Sequence, residues 1–207
     1  MSTFVSSRFS IIATVVIAVA VTSATVGVAD ANAATAYSGQ ARPLSVSAFG
    51  ASVSIGDTGP LPSSGGSQSA SLLNLNVLGL ATIGLLQGTT AGSGDQSTSQ
   101  ASLVSVSVPI VGLSADVVKS QSTAQCSGTT PSVSGSSELV NVTLLGLPIS
   151  APMPNVRIVA PGGISVVLNE QTSTVSGNQG SITVNTIHVT GPGIDIVVAS
   201  AESDITC

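Results

Sequence analysis

Ala101-Ser102-Leu103-Val104-Ser105-Val106-Ser107-Val108 is the stretch that decides the fold. Val104, Val106 and Val108 fall on one side of an extended chain, with Ser105 and Ser107 on the other. Alternation of period two is the mark of a strand with one buried face. The stretch has relatives in the same chain: Ala70-Ser-Leu-Leu-Asn-Leu-Asn-Val77 precedes it, and Ser137-Glu-Leu-Val-Asn-Val-Thr-Leu144 follows. Ser181-Ile-Thr-Val-Asn-Thr-Ile-His-Val189 is a looser fourth copy. The copies start about 31, 36 and 44 residues apart, too unevenly for a solenoid built on a fixed period.

The same alternation places Leu73, Leu75 and Val77 on one face, and Val140, Val142 and Leu144 on another. Ile164, Val166 and Leu168 form a further face, and in the last segment Val197, Ala199, Ala201, Ile205 and Cys207 do so. Leu44 to Ala48 and Ala51 to Ile55 form a weaker early pair. The fourth copy changes phase, with Ile182 and Val184 even and Ile187 and Val189 odd. A one-residue bulge near Asn185-Thr186 would keep both pairs inward. Turn chemistry separates the segments at Gly56-Asp57-Thr58-Gly59-Pro60, Ser93-Gly94-Asp95, Ser176-Gly177-Asn178-Gln179-Gly180 and Gly191-Pro192-Gly193. No convincing helical stripe appears after the N-terminus. The expected fold is all-β: a single antiparallel β-sandwich-like domain built from recurring hairpins, behind an N-terminal signal-peptide helix.

That N-terminus has the layout of an export signal. Arg8 precedes the apolar run 11–21 (IIATVVIAVAV), and Ala31-Asn32-Ala33 and Ala29-Asp30-Ala31 are small-residue cleavage sites. The run is short of the roughly 20 residues that a membrane span requires. The expected organisation is a signal peptide over 1–33, a flexible mature N-terminus over 34–43 and the sandwich over 44–207, with no integral membrane span after cleavage. The expected location is secreted or extracellular, in association with the cell surface.

Beyond residue 33 the cations are Arg42, Lys119 and Arg157, set against eight acids. This mildly acidic balance lacks the basic footprint that phosphate neutralisation requires, so nucleic acid is not an expected partner. Tyr37 and Phe49 are the two aromatic residues beyond the leader, too few for stacking on sugars or bases.

Cys126 and Cys207 are the chain's two cysteines. In an oxidising compartment a pair allows one intramolecular disulfide, and the strand phases point both sulfurs inward. A metal site and an intermolecular bridge are the rivals, and two thiolates without nearby histidines make a poor zinc site.

The best chemical constellation is Glu170 with His188. A hairpin turn centred near Asn178 pairs residues whose numbers sum to about 356, which makes the two side chains diagonal neighbours on one sheet. A carboxylate–imidazole pair serves acid–base chemistry, metal binding or plain structure. Glu202 and Asp204 share a strand face that would hold Ca²⁺ only weakly. Asp57 and Asp95 read as turn residues. There is one histidine and no Gly-x-Ser-x-Gly elbow, so no catalytic set is expected. No cofactor or metal is expected either.

Leu168-Asn169-Glu170-Gln171, the stretch Ile182-Thr-Val-Asn-Thr-Ile-His-Val189, and the closing Asp195-Ile-Val-Val-Ala-Ser-Ala-Glu-Ser-Asp-Ile-Thr-Cys207 resemble the choice-of-anchor P family of secreted actinobacterial proteins. The resemblance runs over roughly 44–207. It implies an extracellular domain with a surface role, and no enzymatic activity or catalytic residues. The expected function is that of a secreted, non-enzymatic envelope module, structural or adhesive, whose partner is an envelope component or another protein. Two alternatives remain: a binding protein with an aliphatic pocket for a lipid-like ligand, and a hydrolase or metal enzyme using Glu170 and His188.

Overall fold

The structure is a computed structural model that describes residues 34–207, apart from 49, 78–80 and 152. The expected signal peptide, 1–33, lies outside the described residues, as does Phe49. The strands are β1 (Ala36–Ala48), β2 (Ala51–Ile55), β3 (Gly66–Val77), β4 (Ala81–Ser93), β5 (Gln96–Val108), β6 (Leu113–Ser127), β7 (Thr130–Val140), β8 (Thr143–Leu144), β9 (Leu147–Pro148), β10 (Val156–Ala160), β11 (Ile164–Ser176), β12 (Gln179–Gly191) and β13 (Ile194–Thr206). A 3₁₀ turn, Pro109–Val111, links β5 to β6.

Two antiparallel sheets pack face to face as a sandwich. Sheet 1 has the order β10-β11-β12-β13-β1-β2. Sheet 2 has the order β3-β4-β5-β6-β8-β9, and β7 also pairs with β6. The middle of the chain therefore forms one meander. The two ends of the chain close the other sheet through β1 against β13. Residues 36–43, expected to be a flexible lead-in, are the first half of β1. Their polar alternation hides a strand that the C-terminal strand completes, from Ala36↔Thr206 onward.

The repeats acquire a structural meaning. Ala70, Ala101 and Ser137, the starts of the first three copies, lie in one row across sheet 2, linked through Gly88 on β4 and Ser120 on β6. The copies are alternate strands of one sheet, and β4 and β6 are the returns between them. The fourth copy, β12, belongs to the other sheet.

Four residues into each of these three copies, Asn74, Ser105 and Asn141 adopt left-handed backbone, with φ of 53°, 57° and 52°. All three lie in a second common row, with Gly84 and Asp116 between them, where ladder pairing is interrupted without any change of register. Sheet 1 has an equivalent row through Asn155, Asn169, Thr186, Ala199 and Pro43, in which Asn155, Asn169 and Ala199 are left-handed. Left-handed backbone costs an L-residue roughly 1–2 kcal/mol, and Asn tolerates it better than most residues. That explains why Asn recurs at this position.

Each row is a transverse crease at which the strands switch phase together. In β5 the buried positions are Ser97, Ser99, Ala101 and Leu103 before Ser105, then Val106 and Val108 after it. In β12 Ile182 and Val184 precede Thr186, and Ile187 and Val189 follow, all buried. Both apolar pairs of the fourth copy therefore face inward, as expected. The cause is a shared crease in which the neighbouring strands switch phase together, and not an extra residue in one strand. At the crease sheet 1 turns two successive residues inward, such as Val198 and Ala199, whereas sheet 2 turns Val104 and Ser105 outward. The two sheets thus bend in the same sense and nest.

The crease corrects several expected faces. Leu73, Val104 and Val140 do not share a face with Leu75, Val106 and Val142. Each sits just before the crease and is turned away from the core, while its successors pack into it. Val197 likewise separates from Ala199, Ala201 and Ile205. Beyond the crease the core is aliphatic, built around Val46, Ile83, Val108, Leu113, Val166, Leu168, Ile187 and Ile196. On the cysteine side it is lined by small polar side chains: Thr90, Ser97, Ser99, Ser120, Ser122 and Ser203 are buried. Two contacts bridge the sheets, Ser97 Oγ donating to the Ser38 carbonyl at 2.9 Å and the Ser122 and Ser203 hydroxyls 2.8 Å apart, while the Thr90 and Ser99 hydroxyls meet within sheet 2 at 2.8 Å. A Cβ at Gly135 would overlap Val184 of the facing sheet, so the sheets approach too closely here for large side chains.

Cys126 of β6 and Cys207, just past β13, form a disulfide between the sheets, with Cα atoms 5.5 Å apart. It seals a small second cluster with Ala124, Ile205, Tyr37 and Val133. The backbone amides of Cys126 and Cys207 donate to the turn carbonyls of Asp95 and Asn178, at 2.7 and 2.8 Å. Among the described residues no helix is long and apolar enough to cross a membrane.

Candidate functional site

The β11–β12 hairpin turns at Gly177-Asn178, and its register pairs Glu170 with Asn185 and Val167 with His188. This lies one residue from the register expected from the turn, and it still brings Glu170 and His188 together. His188 Nδ1 is 2.8 Å from Glu170 Oε2. Two further groups join them. Asn185 Nδ2 donates to the same Glu170 oxygen at 2.7 Å, and Asp195 Oδ2 of β13 lies 3.4 Å from His188 Nε2.

His188 is thus flanked by a carboxylate at each ring nitrogen on the outer face of sheet 1. Exposure rises along the set, from 22% for the His188 side chain through 27% for Glu170 to 54% for Asp195. Both ring nitrogens face carboxylate oxygens of the protein itself. Glu170, His188, Asn185 and Asp195 form one polar network on this face. Among the described residues, no group of three or more His, Cys, Asp and Glu side chains is placed to hold a metal ion.

Asp195 also lines an open depression of about 410 Å³ between the β1–β2 and β12–β13 turns, walled by Ser47, Ala48, Gly50, Ala51, Ser52 and Ile194 among others. A second depression, of about 170 Å³, is lined by Thr89, Thr98, Ser99, Gln100 and Gln121 of sheet 2.

A second polar network crosses the same face of sheet 1. Arg42 of β1 contacts Asp57 at 3.7 Å and Glu202 at 3.6 Å, and it donates to Gln40 Oε1. Gln40 Nε2 donates to Asp57 Oδ1 at 2.5 Å, and the Gly59 amide donates to that same oxygen at 2.8 Å, which closes the expected turn. Glu202 and Asp204 do share a face. Burial pushes the Glu202 carboxyl above its ordinary range, Asp204 pushes the same way, and Arg42 offsets part of this. Asp95 is the other expected turn residue, and its carboxylate accepts from Gln125 Nε2 at 3.1 Å. Burial, then Asp95, raise the Tyr37 phenol, whose hydroxyl donates to the Gly94 carbonyl at 2.6 Å.

The outer face of sheet 2 is different in kind. Leu73, Leu85, Val104, Val117 and Val140 occupy one row across five strands. Strands spaced about 4.8 Å apart make this a band roughly 20 Å long. Leu73, at its end, is 68% exposed. The adjacent row is Ser71, Gln87, Ser102, Lys119 and Glu138, and the rows beyond are Ser, Thr, Gln and Ala. Alternation alone assigns Leu73, Val104 and Val140 of this band to the core.

The fold and its outer faces define a class: a disulfide-clasped, all-β sandwich with ion-pair networks on one outer face and an apolar band bordered by Lys119 and Glu138 on the other. No family model, curated protein or solved structure matches the chain.

Proposed function

We propose that this chain is a secreted, non-enzymatic module of the cell envelope, structural or adhesive in role, of the choice-of-anchor P kind. The observation that carries the reading is the apolar band on the outer face of sheet 2. A row of five aliphatic side chains across five strands, bordered mainly by small polar residues, suits contact with another surface. The export-signal layout of the N-terminus and a disulfide that persists in oxidising compartments are compatible with this location.

The test combines location with the band. Producing cells are fractionated into medium, wall, membrane and cytoplasm, and the protein is followed by immunoblot. The wild type is expected in the medium and wall fractions. Val104→Lys with Val117→Lys is expected to shift it from wall to medium with an unchanged circular dichroism spectrum. A wild-type protein confined to the cytoplasm removes the envelope role, and an unchanged distribution of the variant removes the band from it.

A second reading, a hydrolase or metal enzyme, would rest on the contact between His188 and Glu170. Its test is His188→Ala, assayed against ester, peptide and glycoside substrate panels alongside the wild type. Turnover by the wild type that the variant lacks would establish it.

A further inference from the structure

Four strand edges bound the two sheets, and three of them carry devices that discourage pairing with another chain. In sheet 1, β2 and β10 are five residues each, and β10 contains Arg157. In sheet 2, β7 contains Pro131 and Glu138, and β9 is two residues ending in Pro148. The free part of β11, 171–176, is uncharged but short. The fourth edge is β3, twelve residues with no charge and no proline.

The repeat says what such an edge can accept. Ala70-Ser-Leu-Leu-Asn-Leu on β3 matches Ala101-Ser-Leu-Val-Ser-Val on β5, and β5 is laddered on both sides, to β4 and to β6. Among the described residues β3 is laddered only to β4. The same motif thus has one edge filled and one free: the edge of β5 equivalent to the free edge of β3 is filled by β4, an antiparallel strand with no charge and no proline. β3 is itself such a strand. Two uncharged copies also meet without the repulsion that the acidic balance of the chain imposes elsewhere.

We infer that β3 pairs antiparallel with β3 of a second copy about a two-fold axis, joining two sheets 2 into one continuous sheet. Facing residues in an antiparallel pair share a side of the sheet, so the numbers of paired residues must sum to an even value. The straight stretch runs from Gly66 to the crease at Asn74, and it is used in full when Ala70 lies on the axis. Ser69 then faces Ser71 of the second copy, and the exposed Leu73 gains Ser67 as a cross-strand neighbour. Nine paired residues make a ladder about 30 Å long, a smaller contact than the roughly 800 Å² per partner of a standard stable interface. The dimer is therefore weak and concentration-dependent. This inference does not rest on the envelope reading, because it concerns the purified protein alone.

The experiment uses the protein as the producing cell processes it. Sedimentation velocity from about 5 to 500 µM is expected to show monomer giving way to dimer, with dissociation in the tens of micromolar that so small a contact allows. Ser69→Lys with Ser71→Lys is expected to remain monomeric throughout with an unchanged melting temperature. Ser69→Cys and Ser71→Cys proteins, mixed and mildly oxidised, are expected to cross-link at least fivefold more than either alone, because only the mixture places two thiols opposite each other. The conservative cysteine variants carry the test if the lysine variant misfolds. A wild type that stays monomeric at 500 µM, a lysine variant that still dimerises, or cross-linking equal in all three samples would each overturn the inference.

Discussion

Replacing both Cys126 and Cys207 by Ala removes the covalent clasp between the sheets and nothing else of comparable size. The bond closes a loop of 81 residues. On the chain-entropy treatment, freeing a loop of that length in the unfolded state costs the native state about 4.5 kcal/mol at 25 °C. Urea denaturation followed by circular dichroism reads this directly. With a denaturant slope of about 2 kcal/mol per molar, the midpoint falls by about 2 M. The structure also frames the alternative outcome. Cys207 lies at the end of the described chain, beyond a β13 that is laddered on both sides by β1 and β12. If those ladders hold the terminus by themselves and the unfolded chain gains little freedom, the bond is only a local staple. Amide exchange would then accelerate at residues 203–207 with the midpoint nearly unmoved. A midpoint shift below about 0.5 M would refute the argument that the loop it closes is what makes the disulfide stabilising.

Three further outcomes follow from the creases and the face networks. Asn141→Val and Asn169→Val place β-branched residues at left-handed backbone and are expected to cost about 1–2 kcal/mol each, while Ala199→Gly is expected to cost nothing or to stabilise; equal losses in all three, measured by urea midpoint, would remove the crease as the cause. Thr186→Val deletes a buried hydroxyl that donates across the sheets to the Lys119 carbonyl at 2.8 Å, and is expected to cost about 1–2 kcal/mol in the same assay. Glu202 has a carboxyl raised above its unfolded value, so it contributes nothing at low pH, where both states hold the proton. Stability falls as pH rises from the unfolded value through the folded one, and the loss persists at neutral pH. Glu202→Gln is therefore expected to raise the melting temperature at pH 7 and leave it unchanged at pH 3; a lower melting temperature at pH 7 would mean that Arg42 outweighs burial and Asp204.

Much of the candidate site was legible from strand phase and turn position. A turn near Asn178 is enough to bring Glu170 beside His188, because diagonal reach tolerates an error of one residue in register. Asp195 was within reach of the same reasoning: the turn at Pro192-Gly193 pairs Thr190 with Asp195, two residues along the strand from His188. The Arg42–Asp57–Glu202 network was not legible. It depends on β1 pairing with β13 across the whole length of the chain, and no local pattern encodes a contact between residues 42 and 202.

The amino-acid sequence by itself determined the all-β class, most of the strands and the turns between them, since these depend on local alternation and turn chemistry, and its count of two left the cysteines one intramolecular pairing, which the fold brought together. Only the tertiary structure decided which face of each strand is buried. Period two carries phase along a strand only while the backbone stays extended, and a single left-handed residue reverses it. Six such residues, aligned in two rows, reverse it across both sheets at once. That is why Ser97 and Ser99, which alternation from Val104 sends to solvent, lie in the core, while Leu73, Val104 and Val140, which it sends to the core, form a band on the outside.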